Sequence, residues 1–266
     1  MRKTGCCTWI FGDTTLADTA ARVAKAGLDG VELFGDTDNT DPREALKILG
    51  DHGLTVFSLT PGDADISHPD AGIRARAIDY YKALSDFAHE LGNPLISCHG
   101  QVGRIAPIAS QAEEDALLQE SVAQICEIAK GQNVVFEILN RYETHQIRTV
   151  AEGLALMNAV AAGNLKLLPD AYHMNIEEAD PAGALRAGGD AIGLYHAADS
   201  NRVGVGAGHT DFAAQINALN DINYQGPVIF EVNAPGPNPF TPDKGDGFRD
   251  IVVEELARSR RVFNQG

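Results

Sequence analysis

Four side chains of the types that bind metal ions stand at the ends of four successive apolar runs. The runs end on Glu137, Asp170, His196 and Glu231. A single carboxylate at such a place is more often a helix cap or a solvated loop residue, but four in matching places form a set. If each run is a strand of one parallel barrel, the four side chains meet at its carboxyl rim, where barrel enzymes carry their active sites. Three carboxylates and one imidazole suit Mn²⁺ or Mg²⁺, and Co²⁺ or Zn²⁺ could also bind.

Short apolar runs alternate with amphipathic stretches along the whole chain, as in α/β proteins. The expected strands cover 4–9, 29–34, 55–59, 94–99, 134–138, 165–170, 192–196 and 228–232. The expected helices cover 16–26, 42–52, 73–91, 113–130, 149–161, 181–187, 212–220 and 248–263. This alternation predicts an α/β fold, a (β/α)₈ TIM barrel formed by a single domain, 1–266. A doubly wound sheet is the competing fold, but it normally has fewer strands, and no G-x-G-x-x-G follows the first strand.

The composition excludes several classes of protein. With 21 Lys and Arg against 37 Asp and Glu, the net charge of −16 repels phosphate backbones, so no nucleic-acid partner is expected. No apolar run is long enough to cross a membrane, so no membrane partner is expected either. The four cysteines, Cys6, Cys7, Cys98 and Cys126, form no C-x-x-C pair. We expect them to be reduced, which predicts a cytoplasmic protein.

Three segments resemble the motifs of one enzyme family. Residues 136–144 read FEILNRYET, residues 170–178 read DAYHMNIEE, and His196 is followed by an SNR sequence at 200–202. They are similar to the E-x-x-N-R-[FY]-E, D-T-F-H-M-N-I-E-E and H-x-x-E-x-[ND]-R segments of D-tagatose/D-psicose 3-epimerases. The chain is therefore identified as a member of the xylose-isomerase-like TIM-barrel superfamily, and the likeness is strongest between 134 and 231.

The resemblance implies an activity and a set of functional residues. The four residues named first would hold one divalent metal ion, and Glu137 and Glu231 would also act as acid and base on opposite faces of a sugar. Glu143, His173 and Arg202 would hold substrate oxygens. The chemistry is coherent, because a divalent cation that chelates the carbonyl and a neighbouring hydroxyl stabilises the cis-enediolate left when a glutamate removes the adjacent proton.

Three departures from the epimerase pattern lie around the substrate rather than the metal ion. Asp199 stands three residues after His196, where the family usually has glutamate. Val232 and Asn233 replace the family's Pro-Phe after the last ligand, and the opening 6–12 also differs. They favour a different substrate, and a nearer resemblance is to the catalytic alpha subunit of C-glycoside deglycosidases. Those enzymes use Mn²⁺, the metal ion expected first here, and act on 3-oxo-C-glycosides.

The deglycosidase resemblance gives His145 a catalytic role. In that reaction the enediolate expels an aryl aglycone, which must be protonated as the bond breaks, and an imidazole has a suitable pKa. The alternative is a solvent-facing histidine at the start of a helix. Trp9, at the end of the first strand, is expected to stack on the sugar, and His99, at the end of the fourth, to contact substrate. Glu32 ends the second strand at the same rim, where it could touch substrate or a nearby water. The loop 234–247 could shape an aglycone site or a subunit contact.

Two enzymatic interpretations follow, and both take a small keto-sugar or 3-oxo-glycoside as partner. The first is a metal-dependent carbon–carbon lyase of 3-oxo-C-glycosides, assembled with a small second (beta) subunit. The second is a ketose 3-epimerase, or another sugar or sugar phosphate isomerase/epimerase, which would be a homo-oligomer. A DNA-repair endonuclease of the related metal-barrel family is disfavoured by the net charge, and a non-catalytic sugar or metal binder by the intact glutamate pair.

Overall fold

Eight parallel strands form a barrel in the part of the chain that the computed structural model describes, residues 2–238 and 240–265. They are β1 (Thr4–Cys7), β2 (Gly30–Phe34), β3 (Thr55–Thr60), β4 (Leu95–Cys98), β5 (Val134–Ile138), β6 (Leu165–Pro169), β7 (Tyr195–Ala197) and β8 (Val228–Phe230). The hydrogen-bonded order is β6-β5-β4-β3-β2-β1-β8-β7. Isolated bridges from Leu167 to Ile192 and from Asp170 to His196 join β6 to β7. The predicted α/β TIM barrel is thus confirmed as a nearly closed barrel.

The helices lie between the strands and pack around them. They are α1 (Leu16–Ala26), α2 (Pro42–Asp51), α3 (Ala71–Glu90), α4 (Gln111–Ile128), α5 (Val150–Val160), α6 (Ala171–Glu177), α7 (Pro181–Gly188), α8 (Phe212–Asp221) and α9 (Phe248–Gln265). The expected helices correspond to all of these except α6. Its seven residues are too few for a helical period to be recognised, and it starts directly after β6, where Asp170 caps it by accepting the N–H of Tyr172 at 2.7 Å.

Capping residues set where the helices begin and end. Thr15 accepts the N–H of Asp18 at 3.1 Å at the start of α1, and Gly27 ends that helix with φ 80°. At the start of α5, Thr149 and Glu152 form a reciprocal capping box. Because the helix ends are fixed, each strand-to-helix loop at the carboxyl rim has a defined length. The backbone that carries the rim side chains is therefore held in place.

The first strand is shorter than the sequence predicts. It ends at Cys7, and Thr8–Phe11 forms a 3₁₀ helix, so the placement of Trp9 at a strand end was wrong. The reason is local: the Thr8 hydroxyl accepts the N–H of Phe34 at 3.0 Å in place of a strand partner. Gly12, with φ 67°, then donates its N–H to the Trp9 carbonyl at 2.9 Å and closes the turn.

The strands are almost wholly buried, which explains their continuous apolar character. All five residues of β5 are buried, Glu137 among them. The four cysteines are free thiols in the interior. None of the helices among the described residues combines the length and the apolar character needed to cross a bilayer.

Candidate active site

The four residues expected to bind metal meet at the carboxyl rim of four neighbouring strands. Glu137 lies within β5, Asp170 follows β6, His196 is the middle residue of β7, and Glu231 follows β8. One ligand atom from each lies within 4.8 Å of the others. All four side chains are buried, Asp170 completely. Consecutive parallel strands ending on such residues place the groups side by side, as the sequence analysis expects.

His196 turns one ring nitrogen towards the carboxylates. Its Nδ1 lies 3.0 Å from Glu231 Oε2, 3.5 Å from Glu137 Oε1 and 4.0 Å from Asp170 Oδ2. Burial and the nearby Glu231 charge raise the pKa of Glu137 to about 7. Three oxygen donors with one nitrogen fit a hard divalent metal ion. The donor set of this structure therefore fits the metal that the sequence pattern predicts.

The second ring nitrogen of His196 contacts Glu32. The imidazole Nε2 lies 3.1 Å from Glu32 Oε2, and the same carboxylate accepts the hydroxyls of Ser58 at 2.6 Å and Thr60 at 2.7 Å. Burial alone would raise the pKa of Glu32, but the His196 charge and these hydrogen bonds lower it to about 2. Glu32 was expected at the rim as a residue that could touch substrate or a nearby water, and its contact with a histidine from a distant strand could not be read from spacing.

Arg202 and His173 bring hydrogen-bond donors to the same place. Arg202 contacts Asp170 through Nη1 at 2.6 Å and Glu231 through Nη2 at 2.7 Å. Its guanidinium also lies over the ring of Tyr172, 4.7 Å from the centroid. Burial opposes the charged form, but these carboxylates hold the pKa of Arg202 well above its usual value. Arg202 therefore remains a cation beside the cluster.

His173 has a defined tautomer. Its Nδ1 lies 3.2 Å from the backbone N–H of Asn140 and 2.7 Å from the Asn140 side-chain amide, both donors. The ring proton is therefore assigned to Nε2, which is buried without a hydrogen-bond partner among the described residues. Burial lowers the pKa of His173 to about 3, so the ring is neutral. A buried N–H without a partner can donate to a substrate oxygen.

Glu143 lies beside the same asparagine. Asn140 donates to Glu143 Oε1 at 3.0 Å, which links this glutamate to the His173 ring. Burial raises the pKa of Glu143 to about 7, with Arg202 opposing the rise and Glu231 and Glu137 adding to it. Asn140 lies within the epimerase-like motif, but sequence reasoning gave it no function.

A cavity of about 720 Å³ opens above these groups. The expected substrate residues that line it are Glu143, His173, Arg202, Trp9 and His99, together with Glu137 and Glu231. Its other side chains include Phe34, Asp63, Tyr172 and Phe240, none of which sequence reasoning singled out. Trp9 reaches the cavity from the 3₁₀ helix, not from the strand end.

The structure does not bring His145 into this cavity. The His145 ring is buried between α4 and the loop before α5, where its Nε2 lies 3.0 Å from Arg104 Nη1 and 3.2 Å from Glu114 Oε2. Its Nδ1 lies 3.1 Å from Gln111 Oε1. Burial, and then the Arg104 charge, lower its pKa. His145 lines a separate cavity of about 570 Å³, so its position lends no support to the catalytic role expected for it.

Comparison with known proteins agrees with this arrangement. The family model described as a xylose isomerase-like TIM barrel matches residues 20–251. An L-ribulose 3-epimerase of Mesorhizobium japonicum is 32% identical over 222 residues, covering 81% of this chain and 75% of that protein. A D-psicose 3-epimerase of Agrobacterium fabrum is 32% identical over 248 residues, covering 87% of this chain and 82% of that protein.

Solved structures show the same barrel. The 3-keto-D-glucoside 4-epimerase of Escherichia coli superposes with a TM-score of 0.86 at 25% identity, covering 98% of this chain and all of that one. The family match spans most of the described barrel, and the sequence relatives cover more than two thirds of the chain. The protein therefore belongs to the xylose isomerase-like TIM barrel family, in which its relatives include ketose 3-epimerases.

Proposed function

We propose that this protein inverts a keto-sugar at the carbon next to its carbonyl group, with a divalent metal ion, Mn²⁺ first among the candidates. The observation that carries the proposal is the placement of Glu137 and Glu231. They come from β5 and from the end of β8, flank His196, and both line the cavity. Two carboxylates on either side of a substrate carbon can remove a proton from one face and return one to the other.

The chain's own residues supply the parts of such a reaction. Glu137, whose pKa burial and Glu231 raise to about 7, can hold or release a proton near neutral pH. The Nε2–H of His173 and the guanidinium of Arg202 can bind the oxygen on which negative charge develops. A divalent cation held by Glu137, Asp170, His196 and Glu231 would supply Lewis-acid stabilisation of that charge.

The names of the relatives support epimerisation. In a ketose 3-epimerase and in a 3-keto-glucoside 4-epimerase alike, the inverted carbon is a neighbour of the carbonyl carbon. The same proton abstraction serves both. The carbon–carbon lyase placed first by the sequence analysis receives no support from these relatives, and its small second subunit stays a prediction, as does the alternative of a homo-oligomer. The four free, buried cysteines support the expected cytoplasmic location.

The test is incubation of the metal-loaded protein in deuterium oxide with L-ribulose, D-psicose, D-fructose and a 3-keto-D-glucoside, each in a separate reaction. We expect an epimer that carries deuterium at the inverted carbon. Chelation should abolish it, and Glu137→Gln or Glu231→Gln should each slow it by about 10²–10⁴-fold. Glu120→Gln, at an exposed position of α4, is the matched control and should have no effect.

Two results would overturn the proposal. One is full activity of both glutamine variants with their metal content unchanged. The other is metal-dependent release of the aglycone from a 3-oxo-C-glycoside with no epimer from any substrate, which would restore the lyase.

A further inference from the structure

Arg202 lies at a strained point of the segment 198–211, which connects β7 to α8. Its φ of 61° lies in the left-handed region, where a residue with a Cβ atom is rarely found. The buried Arg202 side chain lines the cavity together with Glu231. Backbone strain of this kind persists only where neighbouring contacts fix the chain, and it occurs most often at functional sites. The contacts that fix the backbone of Arg202 therefore bear on what its guanidinium can do.

The carboxylate of Asp199 is the centre of this segment. The residue is completely buried, and its two side-chain oxygens accept four backbone N–H groups, those of Ser200 at 2.7 Å, Gly206 at 2.8 Å, Thr210 at 3.1 Å, and Gly208. Burial opposes ionisation, but these N–H groups hold the pKa of Asp199 below its usual value. Hydrogen bonds to an ionised carboxylate are stronger than those between neutral groups. One side chain therefore fixes the backbone at both ends of the segment.

Asp199 also closes the turn that contains Arg202. The Arg202 N–H donates to the Asp199 carbonyl at 2.8 Å, and the Asp199 N–H donates to the Val203 carbonyl at 2.9 Å. From the other direction, the Arg202 carbonyl accepts the N–H of Asn233 at 2.8 Å. Asn233 lies two residues after Glu231 at the end of β8. The backbone of Arg202 is thus joined to the segments that follow both β7 and β8.

Asp199 itself lies outside the wall of the cavity. The described residues that line the cavity include Arg202 and not Asp199. We propose that Asp199 is a positioning residue, which holds the strained backbone of Arg202 so that the guanidinium can bind the oxygen on which negative charge develops. The inference rests on the proposed function, because that function gives Arg202 this role. The departure from the family's glutamate at this position then concerns the shape of the loop and not a contact with substrate.

The test is a double-mutant cycle on the metal-loaded protein, with a keto-sugar that the wild-type protein epimerises. Asp199→Asn turns an NH₂ group towards backbone N–H donors in either orientation of the amide, and should lower kcat/KM by about 10–100-fold. In the Arg202→Ala background the same change should cost less than about twofold, because the group that Asp199 positions is absent. Asp211→Asn is the matched control and should have no effect, since asparagine can still cap α8.

Gly208→Ala moves the carboxylate without removing its charge. A Cβ atom added at Gly208 would overlap Asp199 Oδ1 and Ser200 Oγ, so these groups must shift. We expect the same pattern as in Asp199→Asn, namely a loss of kcat/KM in the wild-type background and almost none in the Arg202→Ala background. This variant decides the question if Asp199→Asn does not fold.

A measurement without turnover separates this inference from the proposed function. The Nε–H of Arg202 gives a ¹H–¹⁵N signal that can be assigned by its loss in Arg202→Ala. The signal should shift or broaden in Asp199→Asn and in Gly208→Ala, but not in Asp211→Asn. If no sugar is epimerised, the proposed function fails, and this signal alone shows whether Asp199 positions Arg202.

Three results would overturn the inference. The first is an unchanged Arg202 signal in the folded Asp199→Asn protein, and the second is wild-type kcat/KM in that protein. The third is a loss of equal size in the wild-type and Arg202→Ala backgrounds, because Asp199 would then act on stability and not through Arg202.

Discussion

Glu32 lies 3.1 Å from His196 Nε2, on the side of the imidazole that faces away from the three carboxylates of the rim. An ionised carboxylate accepts a hydrogen bond, so Glu32 keeps a proton on Nε2. With a metal ion bound in place of the proton on Nδ1, the lone pair of Nδ1 would be directed at that ion. Carboxylate partners of this kind fix the orientation and tautomer of metal-binding histidines.

This relationship predicts the effect of Glu32→Gln. The amide is similar in shape, but it lacks the charge and can turn its NH₂ group towards His196. We expect the affinity for Mn²⁺ to fall by about 10–100-fold, measured by competition with a fluorescent chelator. Glu44→Gln, on the exposed face of α2, should leave the affinity unchanged. An unaltered affinity in Glu32→Gln would assign Glu32 to packing alone.

His173→Ala removes the Nε2–H, which is buried without a hydrogen-bond partner among the described residues. If this group binds the developing oxyanion, kcat/KM should fall by about 10²–10³-fold, while metal affinity stays near the wild-type value. Because burial lowers the pKa of His173 to about 3, no limb of the pH–rate profile between pH 5 and 8 should disappear in the variant. Steady-state kinetics across that range measure both effects, and a lost limb would mean that the ring titrates.

In the metal-free protein, the stability that Glu137 and Glu143 contribute should be lost as the pH rises from about 4.5 to about 7. Burial raises the pKa values of Glu137 and Glu143 from 4.5 to about 7, so in this window each of these two groups binds more protons in the folded state than in the unfolded state. Stability falls with pH wherever that holds. Glu137→Gln stays neutral, so its Tm should exceed the wild-type Tm at pH 8 and approach it near pH 4.5. Thermal unfolding after chelation measures this, and a Tm difference between Glu137→Gln and the wild type that does not grow across the window would contradict it.

His145→Ala separates a structural role from a catalytic one. The ring bonds to Arg104 and Gln111 outside the cavity that holds Glu137, so we expect kcat to change by less than about threefold. The free energy of unfolding should fall by about 1 kcal/mol for each buried hydrogen bond that is lost. Chemical denaturation and kinetics on the same preparation give both numbers. A large loss of kcat at unchanged stability would restore the catalytic interpretation of His145.

The sequence predicted the features that depend on periodicity. Strands with apolar runs, helices with caps and the residue at each strand end all follow local patterns, and so the barrel and the meeting of Glu137, Asp170, His196 and Glu231 could be foreseen. Contacts that only the tertiary structure creates could not be foreseen. The separation between His145 and the cavity depends on the path of a loop that carries no periodic signal.

The exposed Phe34 and Phe240 side chains of the cavity were missed for a similar reason. Phe34 closes an apolar strand, where a core position is the ordinary interpretation. The exposure of its ring depends on the tertiary structure around the cavity, which no local pattern records.

The seam between β6 and β7 gives a bound cation a second role. β5 and β6 pair over five residues, whereas in the described chain β6 and β7 are joined by the isolated bridges Leu167–Ile192 and Asp170–His196. The latter bridge joins two of the residues that we propose as metal ligands. A cation bound there would connect β6 and β7, two neighbouring strands that are joined by isolated bridges and not by a continuous ladder. Removal of the metal ion should loosen the pairing of β6 and β7 first. Amide hydrogen exchange in these two strands would therefore report metal occupancy without any substrate present.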